Sequence, residues 1–253
     1  MATNDKRKIL SELSEIEKFN TLKIDGQMIS NILRFSYFFG LKKGELINLK
    51  VGDVTEKGGF VPETIWICGN KFPVTDEIKN LIQDHYQFLE KKGYKRYSRS
   101  LLFPTNKHKC YNGRTLSRHM GKALRNTELS SLNVEDFRKI GIRRIYTECR
   151  SEGIDKSLCR GKAKKFARIK DDRQLTEILK DARSMLGRIR DPYQKYLDSI
   201  QILSKKLFDN DTRNQKDLII KRIKSLINKI KDNSWLSESE KDDLFSKIPP
   251  EID

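Results

Sequence analysis

The chain has 253 residues, 52 of them Lys or Arg against 35 Asp or Glu, giving a formal net charge of +17. That length can bury one large core or two modest ones without disulfide support. No basic start leads into an apolar run, and no stretch is apolar enough to span a bilayer, so a cytoplasmic protein is expected, with no membrane partner. The basic excess concentrates polyanions around the chain without selecting among them.

Periodicity then assigns the elements in order. Ile9, Leu13, Ile16 and Phe19 recur at helical spacing, predicting a first helix over 5–19. Beyond Gly26 a second helix carries Ile29, Ile32, Leu33, Tyr37 and Phe38, apolar around most of its circumference and therefore buried. Gly40 ends it, and Gly44-Glu45-Leu46 opens a short helix that stops before Gly52. The β-branched and aromatic run Thr64–Ile67 predicts a strand, Gly69-Asn70 a hairpin turn, and Lys71–Val74 the returning edge, where Pro73 argues against a central position.

Helix resumes near Asp76 and runs to Gly93. The segment Tyr94-Lys95-Arg96-Tyr97-Ser98-Arg99 interleaves cations with aromatic rings. After a polar loop, Thr115 is the expected cap of a helix bearing Leu116, Met120 and Leu124. A longer helix from about Val134 to Gly153 buries Phe137, Ile140, Ile145 and Tyr146.

The remainder reads as helical throughout. One apolar stripe runs Leu175 to Leu186, a second from Tyr193 through Tyr196 and Ile200 to Leu207, and a third over Ile219, Ile223, Leu226 and Ile230. Asp191-Pro192 marks a break, and Ser237 with Glu240 forms a capping-box pattern for a last short helix. The expected organisation is a domain over 1–171 and a helical region over 172–253 that packs on it or self-associates.

Two basic sets stand out. Between Arg138 and Lys170 there are 12 basic and three acidic residues, a local charge of +9. Arg114, Arg118 and Lys122, four residues apart, lie on one prospective helix face suited to a major groove. The four cysteines, Cys68, Cys110, Cys149 and Cys159, have neither zinc-finger nor redox spacing, although Cys149 and Cys159 lie close enough in the chain to meet; reduced thiols are expected, with no metal and no cofactor.

Three segments in order, FSYFFGLKKGELINLKVGDV at 35–54, LLFPTNKHKCYNGRTLSRHMGKALR at 101–125 and LNVEDFRKIGIRRIYTECRSEGI at 132–154, resemble the catalytic domain of the tyrosine recombinases, the phage integrase family. The resemblance implies a mainly α fold with a small antiparallel β-sheet, extended here by C-terminal helices. In that family two arginines hold the scissile phosphate, lysine and histidines move protons, and a tyrosine makes the covalent bond to DNA.

At the matching positions this chain has Lys42 for the first arginine, Lys71 near the hairpin lysine, Glu135 for the first histidine, Arg138 for the second arginine, Lys139 beside it, and Lys162 in a later motif. Lysine keeps the charge of arginine and loses its planar fork. A glutamate repels phosphate unless a cation lies between them. Glu45 keeps the family's acidic position, either to brace cations or to cap the following turn. No tyrosine lies between Tyr146 and Tyr193, so only Tyr193 or Tyr196 is available nearby as a nucleophile.

With several catalytic parts changed together, binding of double-stranded DNA without strand cleavage is the expectation. The contacts are expected from Lys42, Lys71, Arg114, Arg118, Lys122, Arg138, Lys139, Arg143, Arg144, Arg160, Lys162, Lys164 and Lys165, with Arg150 and Arg168 in the same run. A regulator or repressor of phage or mobile-element origin fits, nucleoid-associated if bacterial, with a homo-oligomer through the C-terminal helices or a regulatory protein as further partners. Two other readings stand beside it: an active recombinase using Tyr193 or Tyr196, and a structural or RNA-binding protein in which Tyr94, Arg96 and Tyr97 stack on unpaired bases.

Overall fold

A computed structural model describes residues 2–190, 192–208, 216–232, 236 and 238–249 of the chain. It is mainly helical with one small antiparallel sheet. The chain forms two compact units, Met1–Leu186 and Gly187–Asp253. The first therefore extends past residue 171, because the stripe of the next helix is buried in it.

The first unit is built around α2 (Gly26–Phe39), which touches α1 (Ala2–Glu17), α3 (Lys43–Asn48), α4 (Asp76–Lys91), α5 (Gly113–Ala123) and α6 (Val134–Ser151). Asp25 starts α2, its carboxylate accepting from the Met28 amide at 3.2 Å. Gly40 stops it in the left-handed conformation at φ 61°, donating to Ser36 O at 3.0 Å. The Ser36 hydroxyl lies 3.1 Å from Leu41 O and 3.0 Å from Val134 O, tying that stop to the start of α6.

Helices α2 and α6 approach closely at Gly141, where an added Cβ would stand 2.1 Å from the Tyr37 carbonyl oxygen. Gly141→Ala is therefore expected to force the pair apart and cost about 2–3 kcal/mol, whereas Gly161→Ala, with open space around it, should gain up to about 1 kcal/mol of helix propensity. Urea denaturation of the two variants checks both signs.

The hairpin pairs β1 (Thr64–Ile67) with β2 (Asn70–Pro73), Trp66 opposite Lys71. Its inner face carries Ile65, Ile67 and Phe72. Phe72 joins an aromatic chain in which Phe35, Phe39, Phe72 and Phe166 pack at successive centroid distances of 5.2, 5.4 and 6.0 Å. That chain seats the hairpin between α2 and α7 (Lys156–Ala167). Beyond it, α8 (Asp172–Arg190) packs Leu175, Ile178 and Leu179 on Ile142, Ala163, Ala167 and Ile169.

The expected cap at Thr115 is corrected. Helix α5 begins at Gly113, with Asn112 Oδ1 accepting from the Arg114 amide at 2.8 Å. Asn-Gly reads as a turn signal, and here the asparagine serves as the cap instead.

The second unit contains α9 (Pro192–Phe208), α10 (Lys216–Lys231) and α11 (Glu238–Ser246). Its apolar stripes pack on one another: Tyr196 and Ile200 with Ile230, Leu236 and Leu244, and Leu207 with Ile219 and Ile223. The stripe over Ile219, Ile223 and Ile230 lines the unit's own core. The Ser237–Glu240 capping box involves Ser237, which lies outside the described residues. Among the described residues no helix is long and apolar enough to cross a membrane.

Candidate nucleic-acid interface

Arg138, expected at the scissile phosphate, and Arg168, from the same basic run, meet a turn of the protein's own backbone. Gly40 O accepts from Arg138 Nε at 3.0 Å and from Arg168 Nη2 at 2.7 Å. Arg138 also donates to Ala167 O at 2.8 Å and pairs with Glu135, leaving its side chain 3 % exposed. Arg168 sits in the left-handed conformation at φ 54° just past α7, and its Nε and Nη2 meet the two oxygens of Glu45 at 3.2 and 2.6 Å. Glu45 Oε2 accepts from the Lys42 amide as well, at 2.6 Å, so it both caps α3 and braces a cation.

Two arginines facing two carboxylates make this centre electrically neutral. Its fork-shaped donors are spent on carboxylates and carbonyls, and the expectation that Arg138 faces phosphate is corrected: it clamps the end of α2 to α6 and to the end of α7.

Most of the basic run beyond it is consumed in the same way. Lys139 pairs with Asp181 at 2.8 Å, Arg160 with Asp172 at 3.1 Å and Lys164 with Asp172 at 2.9 Å. These partners hold the Asp172 and Asp181 carboxyls below their ordinary range through hydrogen bonds and charge. Arg143 donates to Leu179 O at 3.3 Å and Arg150 to Ile154 O at 2.8 Å. Arg144 pairs with Glu148 at 2.9 Å and lies over the Tyr37 and Phe38 rings at 5.2 and 5.4 Å. Lys139, Arg143, Arg160 and Lys164 thus tie α8 to α6 and α7, while Arg144 packs α6 on α2. These cations therefore carry internal partners and stay only partly exposed.

Seven expected cations do stay outside. Lys42, Lys71, Arg114, Arg118, Lys122, Lys162 and Lys165 are exposed, and none of them is in an ion pair among the described residues. Helix α5 buries Leu116, His119, Met120 and Ala123 and turns Arg114, Ser117, Arg118 and Lys122 outward. Arg125, one turn further, is exposed too. Lys43 reaches from α3 to Ser117 Oγ at 3.3 Å, joining the starts of the two helices.

On the other side of the Gly40 turn, Asn70 Nδ2 donates to Lys165 O at 2.8 Å, seating the hairpin's turn on the end of α7. Lys71 and Trp66 face outward there, Trp66 being 64 % exposed. Lys43 thus links α3 to α5, Asn70 links the hairpin to α7, and Arg168 with Glu45 links the end of α7 to α3; each of these elements carries exposed cations that are in no ion pair among the described residues. Lys43, Arg125 and Trp66 were not singled out from sequence; the three-residue step from Lys122 to Arg125 was the available signal.

Of the two candidate nucleophiles, the Tyr193 side chain lies outside the described residues. Tyr196 is 3 % exposed in the second unit's core, its hydroxyl 3.5 Å from Lys229 O. Among the described residues no group of His, Cys, Asp and Glu is arranged to hold a metal. The cysteines are free thiols, Cys149 and Cys159 buried and Cys68 and Cys110 exposed.

Comparison with family models, curated proteins and solved structures finds no match for this chain. The functional reading rests on the residues themselves.

Proposed function

We propose that this chain binds double-stranded DNA sequence-specifically on a degenerate tyrosine-recombinase scaffold, as a regulator or repressor of phage or mobile-element origin that does not cut its target. The observation that carries the reading is the outward row Arg114, Arg118 and Lys122 on α5, in no ion pair among the described residues, with Lys43 of α3 reaching Ser117 on the same helix. A helix of 11 residues is about 16 Å long, which suits a major groove about 12 Å wide. Lys71, Lys162 and Lys165 extend the charge to flanking phosphates. The Arg–Glu centre supports binding without cleavage, since Arg138 and Arg168 spend their fork-shaped donors on carboxylates and backbone carbonyls of the chain itself.

The test is duplex titration across a salt series with the full chain. The wild type should show log affinity falling linearly with log salt. Replacing Arg114, Arg118 and Lys122 together by alanine should reduce that slope by about 3, near one for each cation withdrawn from a phosphate. An unchanged slope removes α5 from the interface. Selection of bound duplexes from a random pool should enrich a motif; binding with no enriched motif sinks the regulator reading.

A further inference from the structure

A second surface of the first unit does not belong to the α5 region. The segment 93–98, the loop 56–60 and the middle of α4 enclose an open cleft of about 1320 Å³, lined among others by Lys57, Phe60, Tyr86, Lys95, Arg96 and Tyr97. Small-molecule sites usually occupy about 300–1,000 Å³, so the cleft suits something longer than a metabolite.

Its walls are rings and cations. Tyr97 is 74 % and Phe60 60 % exposed, an unfavourable placement for such large apolar surfaces. Arg96 lies over the Tyr86 ring at 4.6 Å, its guanidinium held in place by Glu90. Lys57 and Lys95 are exposed, and Glu56 is the one carboxylate in the lining.

The surface is also rigidly built. Gly59, at φ 82°, presses its loop on Tyr86, where an added Cβ would stand 2.4 Å from the ring. The Tyr97 segment is pinned by Gly52 N to Ser98 O at 3.0 Å, Val51 N to Ser100 O at 2.9 Å and Ser100 N to Tyr97 O at 2.8 Å. Exposed rings on a fixed backbone lose little conformational entropy when something stacks on them.

We propose that this cleft binds single-stranded nucleic acid, with unpaired bases stacking on Tyr97 and Phe60 and the phosphates meeting Lys57 and Lys95. Every base offers a π-face, so the site accepts bases with little regard to sequence. A duplex hides those faces, which separates this site from the α5 region. An apolar protein segment is the competing occupant, and it has no use for the cations.

The test titrates the full chain with a short labelled oligothymidylate, an oligouridylate and a duplex. Tyr97→Ala and Phe60→Ala should each weaken single-strand binding about tenfold, within the range of one stacked base, and leave duplex binding unchanged. Tyr97→Phe should keep wild-type affinity. Both truncations are at exposed positions, and an unchanged melting temperature shows that the fold is intact. The relative strength of the two oligonucleotides tells whether DNA or RNA is preferred. No single-strand binding, or binding that neither truncation weakens, or equal weakening toward duplex, overturns the proposal. A wild type that binds single strands but no duplex counts against the α5 reading and leaves this one standing.

Discussion

Arg138→Ala is expected to destabilise the first unit by about 3 kcal/mol while leaving the duplex affinity of the folded protein unchanged. The guanidinium serves three directions at once, toward Gly40 O, Ala167 O and Glu135. Its removal has unequal consequences for the three partners. Gly40 O keeps Arg168 as a donor. Glu135, 43 % exposed, can turn to water, so no charge is stranded in the interior. Ala167 O, in a residue that is 0 % exposed, loses the Arg138 donor, and an unmade buried bond costs about 1–3 kcal/mol. The vacated side-chain volume between α2, α6 and α7 adds a cavity term.

Arg138→Lys should recover little, because an ammonium on a flexible stem cannot reproduce a planar fork with fixed angles. The urea midpoint, followed by helical circular dichroism, measures the loss. An unchanged midpoint together with a large drop in DNA affinity would show that Arg138 is a phosphate ligand after all and overturn its assignment as a clamp.

The difference between the expected and observed roles of these cations has one physical origin. The +9 count over 138–170 sees only the acids inside that window. Most of the carboxylates that pair with the run come from outside it: Glu135 for Arg138, Glu45 for Arg168, Asp172 for Arg160 and Lys164, Asp181 for Lys139, while Glu148, inside the window, pairs with Arg144. Such pairings depend on which helices lie side by side, and local charge counting is blind to them. Features that depend on nearby residues were readable, including the all-round burial of α2, its stop at Gly40, the Thr64–Ile67 strand and the span of α6. The α5 stripe was also readable, because four-residue spacing places side chains on one face whatever the tertiary context. The stripes of α9 and α10 were correctly apolar, yet periodicity could not say whether their partner was the same chain or a second copy.

The interior should also make the fold sensitive to acid in a defined window. His85 is fully buried; its Nε2 lies 2.8 Å from Leu102 O, which can only accept, so the proton is on Nε2 and Nδ1 accepts from Asn31 Nδ2 at 2.8 Å. Rings of Phe35, Phe88 and Phe103 surround it. Burial pushes its pKa down from 6.5 to about 4, only partly opposed by the bond to Leu102. The unfolded chain therefore takes up a proton below pH 6.5 that the folded chain refuses until about pH 4. Stability must fall as pH drops through that interval, by about 3 kcal/mol. Asp155, Asp172 and Asp181, with depressed pKa values, lose their contribution only below their ordinary 3.8, so their window lies lower. His85→Gln should start less stable, without the imidazole packed among those rings, but lose most of the pH dependence in that interval, the remainder coming from His119, whose pKa is also lowered by burial and by Arg118 and Lys122. Nitrogen NMR of the imidazoles at pH 5.5 gives the direct reading: His85 should be neutral and protonated on Nε2, and an imidazolium signal from it at that pH would contradict both the burial and the tautomer.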